Sequence, residues 1–126
     1  MKTAVSDSAD SSALQILVRD DEKHVVRLLK VTLERQGHTV TCAYDGKEAI
    51  EVLEANPTKF DRVILDVMMP RTDGFEVLKW IRETQATRHL WVSMMMAGSQ
   101  HQEAFERLPY RANKYVAKPC NPLGLV

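Results

Sequence analysis

Three aspartates and one lysine in this chain have the residue types and positions that phosphoryl chemistry on a carboxylate requires. Asp20 and Asp21 close one short apolar run, Asp66 closes another, and Lys118 follows a third. If these runs are strands of one parallel sheet, their carboxyl ends share an edge and the four side chains converge in one shallow cleft. A carboxylate in such a cleft can attack a phosphoryl group and form an acyl phosphate.

The same acids form a candidate metal site. Three close carboxylates repel one another, and a cation between them relieves that repulsion. The donors are oxygens without a neighbouring His or Cys, so Mg²⁺ is the expected ion. A cation on one side and Lys118 on the other would neutralise the phosphoryl oxygens. Asp66 is the predicted nucleophile because it would lie on the central strand, between the metal acids and Lys118.

Each of these signals has a simpler explanation when it is taken alone. An Asp-Asp pair after an apolar run is often a turn or a helix cap, and a single aspartate can cap a loop. Lys-Pro pairs are common as well. The joint pattern, with acids at two strand ends and a lysine at a third, is much more specific and favours the functional interpretation.

Alternating strand-like and helix-like runs position these residues. The predicted strands are 14–18, 38–43, 60–66, 90–97 and 115–117, and the predicted helices are 23–36, 46–55, one that opens at 73–74, and 100–108. Parallel neighbours need long crossover connections, which the helices supply. The pattern therefore predicts an α/β fold with a doubly wound, five-stranded parallel sheet.

The amino-acid composition indicates which classes of protein this chain can belong to. The 126 residues are 44% hydrophobic and 27% charged, with 17 basic and 17 acidic side chains. This is typical of one soluble globular domain, and the charge balance argues against binding of nucleic acid. No apolar run matches a membrane span or a signal-peptide core, so we expect a cytoplasmic location without membrane contact. Cys42 and Cys120 have no metal or redox spacing and predict reduced, buried or half-buried thiols.

Four stretches of the sequence resemble the receiver domain of two-component response regulators. They are ILVRDDE at 16–22, VILDVMMP at 63–70, DG at 73–74 and YVAKP at 115–119. The resemblance implies a flavodoxin-like sheet with strand order 2-1-3-4-5. It also implies a domain that accepts phosphate, catalyses its own phosphorylation and dephosphorylation, and signals through protein–protein contacts.

The resemblance assigns a role to each residue of the acid cleft. Asp66 would be the phosphoacceptor, and Lys118 would pair with the phosphoryl group. Asp21, Asp66 and the backbone carbonyl of Met68 would ligate Mg²⁺, with Asp20 acting through water. The phosphoryl donor would be a histidine kinase or a histidine phosphotransfer protein.

Two further features follow from the resemblance. Tyr115 would be the aromatic switch that turns inward in the phosphorylated form, and Lys118–Pro119 would be a cis peptide, which costs little before proline. Residues 1–13, rich in Ser, Asp and Ala, are predicted to be a flexible tail, and 14–126 the receiver domain.

The sequence departs from the receiver pattern at several places. Thr or Ser is expected thirty residues after the phosphoacceptor, and here that position is Met96, which has no hydroxyl. Arg111 replaces a glycine and suggests a rebuilt turn. Arg19 stands where the first strand is usually apolar, and it either neutralises the acidic cleft or extends out to solvent.

Only residues 120–126 follow Pro119, whereas a fifth helix needs about ten to fourteen residues. We expect this helix to be missing or reduced to one turn, which would expose an apolar face that self-association can cover.

Two other functions remain open at this point. The first is a receiver-like scaffold with weak or absent phosphorylation-driven switching, which Met96 and the reduced helix favour. The second is a Mg²⁺-dependent phosphohydrolase, but such enzymes usually have an acid two residues after the nucleophile, and that position is Met68.

Overall fold

Five strands and three helices form the regular structure in the part of the chain that the computed structural model describes, residues 13–66, 73–96 and 110–117. The strands are β1 (Gln15–Arg19), β2 (Thr39–Ala43), β3 (Arg62–Asp66), β4 (Trp91–Met96) and β5 (Lys114–Ala117). The helices are α1 (Lys23–Arg35), α2 (Gly46–Ala55) and α3 (Asp73–Glu83). None of the helices in these ranges has the length and hydrophobicity needed to cross a bilayer.

All five strands are parallel and lie in the order β2-β1-β3-β4-β5. This confirms the doubly wound, flavodoxin-like sheet that the sequence predicts. The order changes direction beside β1, because the chain first adds β2 on one side and then β3 on the other. At such a position the loops after the two central strands diverge, and a cleft opens at the carboxyl edge of the sheet.

Side chains alternate between the two faces of the sheet and form two separate cores. One core packs the face of Leu17 and Leu65 against α2 and α3, and the other packs the face of Ile16 and Ile64 against α1. These four residues have no exposed surface. Strands buried on both faces read as continuous apolar runs, which explains why the sequence shows little polar alternation in β1 and β3.

The end of α1 is fixed by a glycine. Gly37 has a φ of 97°, a left-handed conformation that favours residues without a side chain. The backbone N–H of Gly37 donates to the carbonyl of Glu34, and that of His38 donates to the carbonyl of Leu33. This pair of bonds satisfies the last carbonyls of the helix and directs the chain into β2.

The start of α2 is fixed by an acidic cap. The Asp45 carboxylate accepts a hydrogen bond of 2.8 Å from the backbone N–H of Glu48. The Glu48 carboxylate in turn accepts one of 2.6 Å from the backbone N–H of Tyr44. Two amides at the helix start are thus satisfied by side chains three and four residues away.

Arg82 joins three segments at the amino edge of β4 and β5. Its guanidinium donates to the carbonyls of Arg88 at 2.8 Å, Leu90 at 2.7 Å and Arg111 at 2.9 Å. It also donates to the side-chain oxygen of Asn113 at 3.0 Å. The turn around Arg111 is therefore tied to the end of α3 rather than held by a glycine.

Candidate functional site

Three carboxylates meet at the carboxyl edge of the sheet. Asp20 and Asp21 follow β1, and Asp66 is the last residue of the neighbouring strand β3. Each offers one oxygen, and these oxygens all lie within 4.8 Å of one another. The structure therefore brings together the three acids that the sequence predicts to converge.

The three acids differ in their burial. Asp20 and Asp66 have 0% and 1% of their surface exposed, whereas Asp21 is exposed. The cluster is thus open to solvent on the side of Asp21. Burial of the other two carboxylates removes them from water, so their mutual repulsion is stronger than it would be at the surface.

Asp20 is held in place by its neighbours. Its backbone N–H donates to the carbonyl of Ala43 at 3.1 Å, which continues the pairing of β1 with β2 beyond the end of β1. Its carboxylate accepts a hydrogen bond of 2.9 Å from the backbone N–H of Glu22. A charged acceptor with an amide donor is fixed in orientation as well as stabilised.

The donor set fits a small, oxygen-preferring divalent cation. It consists of three carboxylates, without a histidine or cysteine among the members that the described residues provide. Mg²⁺ is usually bound through one or two carboxylates and keeps other positions for water and phosphate oxygens. The exposed side of Asp21 leaves room for such ligands.

Arg19 lies in the interior next to these acids. Its side chain has 1% of its surface exposed, and Nη1 donates to the backbone carbonyl of Asp66 at 3.1 Å. The side chain therefore does not extend out to solvent. Sequence reasoning identified Arg19 as unusual, but the hydrogen bond to the Asp66 carbonyl has no signal in the sequence.

The two predicted switch positions lie on neighbouring strands. Met96 ends β4 and has 2% of its surface exposed. Tyr115 is half-buried on β5, and its hydroxyl accepts a hydrogen bond of 3.0 Å from the backbone N–H of Ala112. In the register between these strands Tyr115 pairs with Met94, and Met96 pairs with Ala117.

Several sequence predictions fall on residues that the structure does not describe. Met68, Lys118 and Pro119, with the predicted cis peptide, lie outside the described residues. The predicted helix 100–108, the reduced fifth helix at 120–126 and nearly all of the predicted N-terminal tail lie outside them as well. These predictions stay predictions.

Comparison with known proteins gives one consistent family. The sequence profile described as "Response regulator receiver domain" matches residues 16–126. The transcriptional regulatory protein ResD of Bacillus subtilis is 39% identical over 113 residues, which cover 89% of this chain and 45% of ResD. The regulatory protein PhoP of the same organism is 38% identical over 108 residues, with coverages of 86% and 43%. The chain thus spans less than half the length of these curated relatives.

Solved structures agree with the sequence relatives. A putative response regulator from Chloroflexus aurantiacus superposes with a TM-score of 0.78 at 30% identity, covering 90% of this chain and 91% of that one. The chemotaxis response regulator CheY4 of Vibrio cholerae gives a TM-score of 0.77 at 29% identity, with coverages of 90% and 92%. With the parallel sheet and the acid cluster at its edge, these matches show that the chain belongs to the receiver domain family of two-component response regulators.

Proposed function

We propose that this receiver domain takes a phosphoryl group onto Asp66 from the phosphohistidine of a histidine kinase or a histidine phosphotransfer protein. The observation that carries the proposal is the approach of the Asp20, Asp21 and Asp66 carboxylates to within 4.8 Å at one edge of the sheet. Receiver domains in general interact with these two kinds of partner, so the family supports the same conclusion.

Asp66 is the proposed nucleophile. Its carboxylate attacks phosphorus, an oxygen–phosphorus bond forms, and the phosphorus–nitrogen bond to the donor imidazole breaks as that nitrogen takes a proton from solvent. The buried position of Asp66 at the end of a central strand supports this role, because it holds the attacking oxygen in a fixed place.

We assign a Mg²⁺ site to the same edge of the sheet. Asp21, Asp66 and the Met68 carbonyl would be direct ligands, and Asp20 would act through water. When bound, Mg²⁺ supplies positive charge against the carboxylates and the phosphoryl oxygens. Lys118 would contribute its ammonium group to the phosphoryl oxygens from the opposite side.

The alternative, a receiver-like scaffold with weak or absent phosphorylation-driven switching, is not favoured. The family match and the presence of all three acids both support phosphorylation instead. Beryllofluoride with Mg²⁺ separates the two functions because it mimics a phosphoryl group on a carboxylate. A phosphate-accepting domain binds it, and a pure scaffold does not.

Mass spectrometry after incubation with acetyl phosphate and MgCl₂ tests the phosphoacceptor. We expect one acid-stable, base-labile phosphoryl adduct on the wild-type domain, mapped to Asp66, and none on Asp66→Asn. Asp61→Asn is the matched control because Asp61 directly precedes the same strand at its other end, where its carboxylate accepts a hydrogen bond from the backbone N–H of Gln15. An unmodified wild-type domain, or an equal adduct on Asp66→Asn, would overturn the proposal.

Thermal unfolding tests the metal site independently. Ligand that binds only the folded state stabilises it, by about 1.4 kcal/mol at ten times its dissociation constant. We expect MgCl₂ to raise the melting temperature of the wild-type domain by several degrees and to have little effect on Asp21→Asn. Asp21 is exposed, so this variant should fold normally. An equal rise in both proteins would contradict the assignment.

A further inference from the structure

Arg19 is a buried cation next to the acid cluster in the chain and bonded to one of its residues. Among the described residues it is the only basic side chain that is buried, with 1% of its surface exposed. It ends β1, so Asp20 follows it in the chain, and it pairs with Leu65, the residue before Asp66. The chain itself and the pairing with β3 thus both lead from Arg19 to a member of the cluster.

A hydrogen bond joins the guanidinium to one residue of the acid cluster. Its Nη1 is 3.1 Å from the carbonyl oxygen of Asp66. Because that oxygen belongs to the same residue as one carboxylate, the charge of Arg19 lies no more than about 8 Å from the carboxylate of Asp66. Part of this path runs through the protein interior, where charges are screened less than in water.

A buried guanidinium needs negative charge nearby. Arginine stays protonated at any pH a protein tolerates, so it cannot avoid the cost of burial by losing its charge. The acids Asp20 and Asp66 are also buried, and together with Asp21 they bring three formal negative charges to the cluster. The described part of the site therefore carries three formal negative charges and one permanent positive charge.

We propose that Arg19 is a positioning residue that acts as a built-in counter-cation of the acid cluster. It fixes the backbone of Asp66 through the carbonyl and offsets the negative charge of the acids when no Mg²⁺ is bound. The same charge lowers the affinity of the site for Mg²⁺, because a permanent positive charge repels a divalent cation. The inference rests on the proposed function only for its metal-binding part.

The Mg²⁺ affinities of Arg19 variants test whether the charge of Arg19 opposes metal binding. We expect Arg19→Met to bind Mg²⁺ at least tenfold more tightly than the wild type, because one unit charge about 8 Å from another changes an equilibrium constant by more than tenfold in an effective dielectric of about 20, and Mg²⁺ carries two charges. Arg19→Lys keeps the charge and should retain the wild-type affinity. The affinities come from NMR titrations with MgCl₂ followed at the backbone amides of residues 20–22. An unchanged or weaker affinity of Arg19→Met would overturn the proposal and leave the phosphoacceptor assignment intact.

A double-mutant cycle in EDTA tests the same charge without any metal. Asp66→Asn removes the carboxylate but keeps the backbone carbonyl that Arg19 binds. We expect Arg19→Met to lower the folding equilibrium constant about tenfold more in the wild type than in Asp66→Asn. Arg19→Met should be additive with Asp61→Asn, because Asp61 lies just before the amino end of β3, away from the acid cluster. Additivity with Asp66→Asn would overturn the proposal.

The two measurements separate failure of this inference from failure of the proposed function. A wild-type domain that binds no Mg²⁺ overturns the proposed metal site, and the cycle in EDTA then decides on Arg19 by itself. If Arg19→Met does not fold, Arg19→Gln replaces it in both experiments, because it is neutral and retains a polar donor on the side chain.

Discussion

Met95 lies directly opposite Asp66 in the parallel register between β3 and β4. The next residue, Met96, therefore stands at the carboxyl end of β4, at the same edge of the sheet as the acids. Receiver domains are expected to carry Thr or Ser at this position. A thioether cannot donate a hydrogen bond to a phosphoryl group, so we infer that the response of this domain to phosphorylation lacks the contribution of that contact.

Replacement of Met96 by Thr should strengthen the response. We expect a larger change in the NMR signals of Tyr115 on addition of beryllofluoride and Mg²⁺ in Met96→Thr than in the wild type. The substitution also removes buried apolar volume and should cost about 1–3 kcal/mol of stability. Met95→Thr is the control, since Met95 is equally buried on the same strand but belongs to the core on the other face of the sheet from Tyr115. A full response of Tyr115 in the wild type would contradict the inference.

Loss of Arg82 should destabilise the domain. Arg82→Met removes four hydrogen bonds, three of them to backbone carbonyls, and we expect the free energy of unfolding to fall by about 2–3 kcal/mol. Urea denaturation measures the change. Arg88→Met is the control because the side chain of Arg88 is exposed, and it should stay within about 0.5 kcal/mol of the wild type. Equal losses in the two variants would show that the network around Arg82 adds little.

The contribution of the Asp45 cap of α2 to the stability of the domain should also be measurable. Asp45→Ala leaves the Glu48 amide without its side-chain acceptor, and we expect a loss of about 1 kcal/mol in the free energy of unfolding. Asp45→Ser keeps an acceptor at the cap and should recover most of the stability. A Ser variant as unstable as the Ala variant would point to the charge of Asp45 rather than to its hydrogen bond.

Cys42 should make the free energy of unfolding decrease with pH in the alkaline range. Burial raises the pKa of this thiol above its ordinary value of 9.0. The unfolded chain then loses its proton at lower pH than the folded one, so the contribution is fully present below about pH 9 and is lost as pH rises through the folded pKa. We expect the stability of the wild type, measured by urea denaturation, to fall more than that of Cys42→Ala between pH 8 and pH 10. Parallel curves for the two proteins would contradict this.

The sequence predicts the elements well because hydrophobic periodicity determines them. The predicted bounds of α2 agree with the structure, since Asp45 and Asn56 both flank the apolar repeat. The predicted first strand stops at Val18 because Arg19 is charged, yet Arg19 continues β1 through its pairing with Ala43 and Leu65. A charged residue inside a strand is recognised as buried only when its partners are known.

The positions of the three acids can be predicted from the sequence, whereas the arginine contacts around them cannot. Acids at the ends of parallel strands must share an edge, so the approach of Asp20, Asp21 and Asp66 follows from strand order alone. The bond between Arg19 and the Asp66 carbonyl depends on a side-chain conformation, and the partners of Arg82 lie as far as 31 residues away in the chain. Neither leaves a periodic pattern in the sequence.

The contacts of Arg82 also bear on the order in which the domain folds. Its bond to Asn113 forms only after a loop between α3 and β5 has closed, and loop closure costs entropy before any contact compensates for it. β5 pairs with β4 alone, whereas β1 and β3 each pair with two neighbours. We therefore expect the outermost strand to dock late, onto a nucleus in which the edge that carries the aspartates has already assembled.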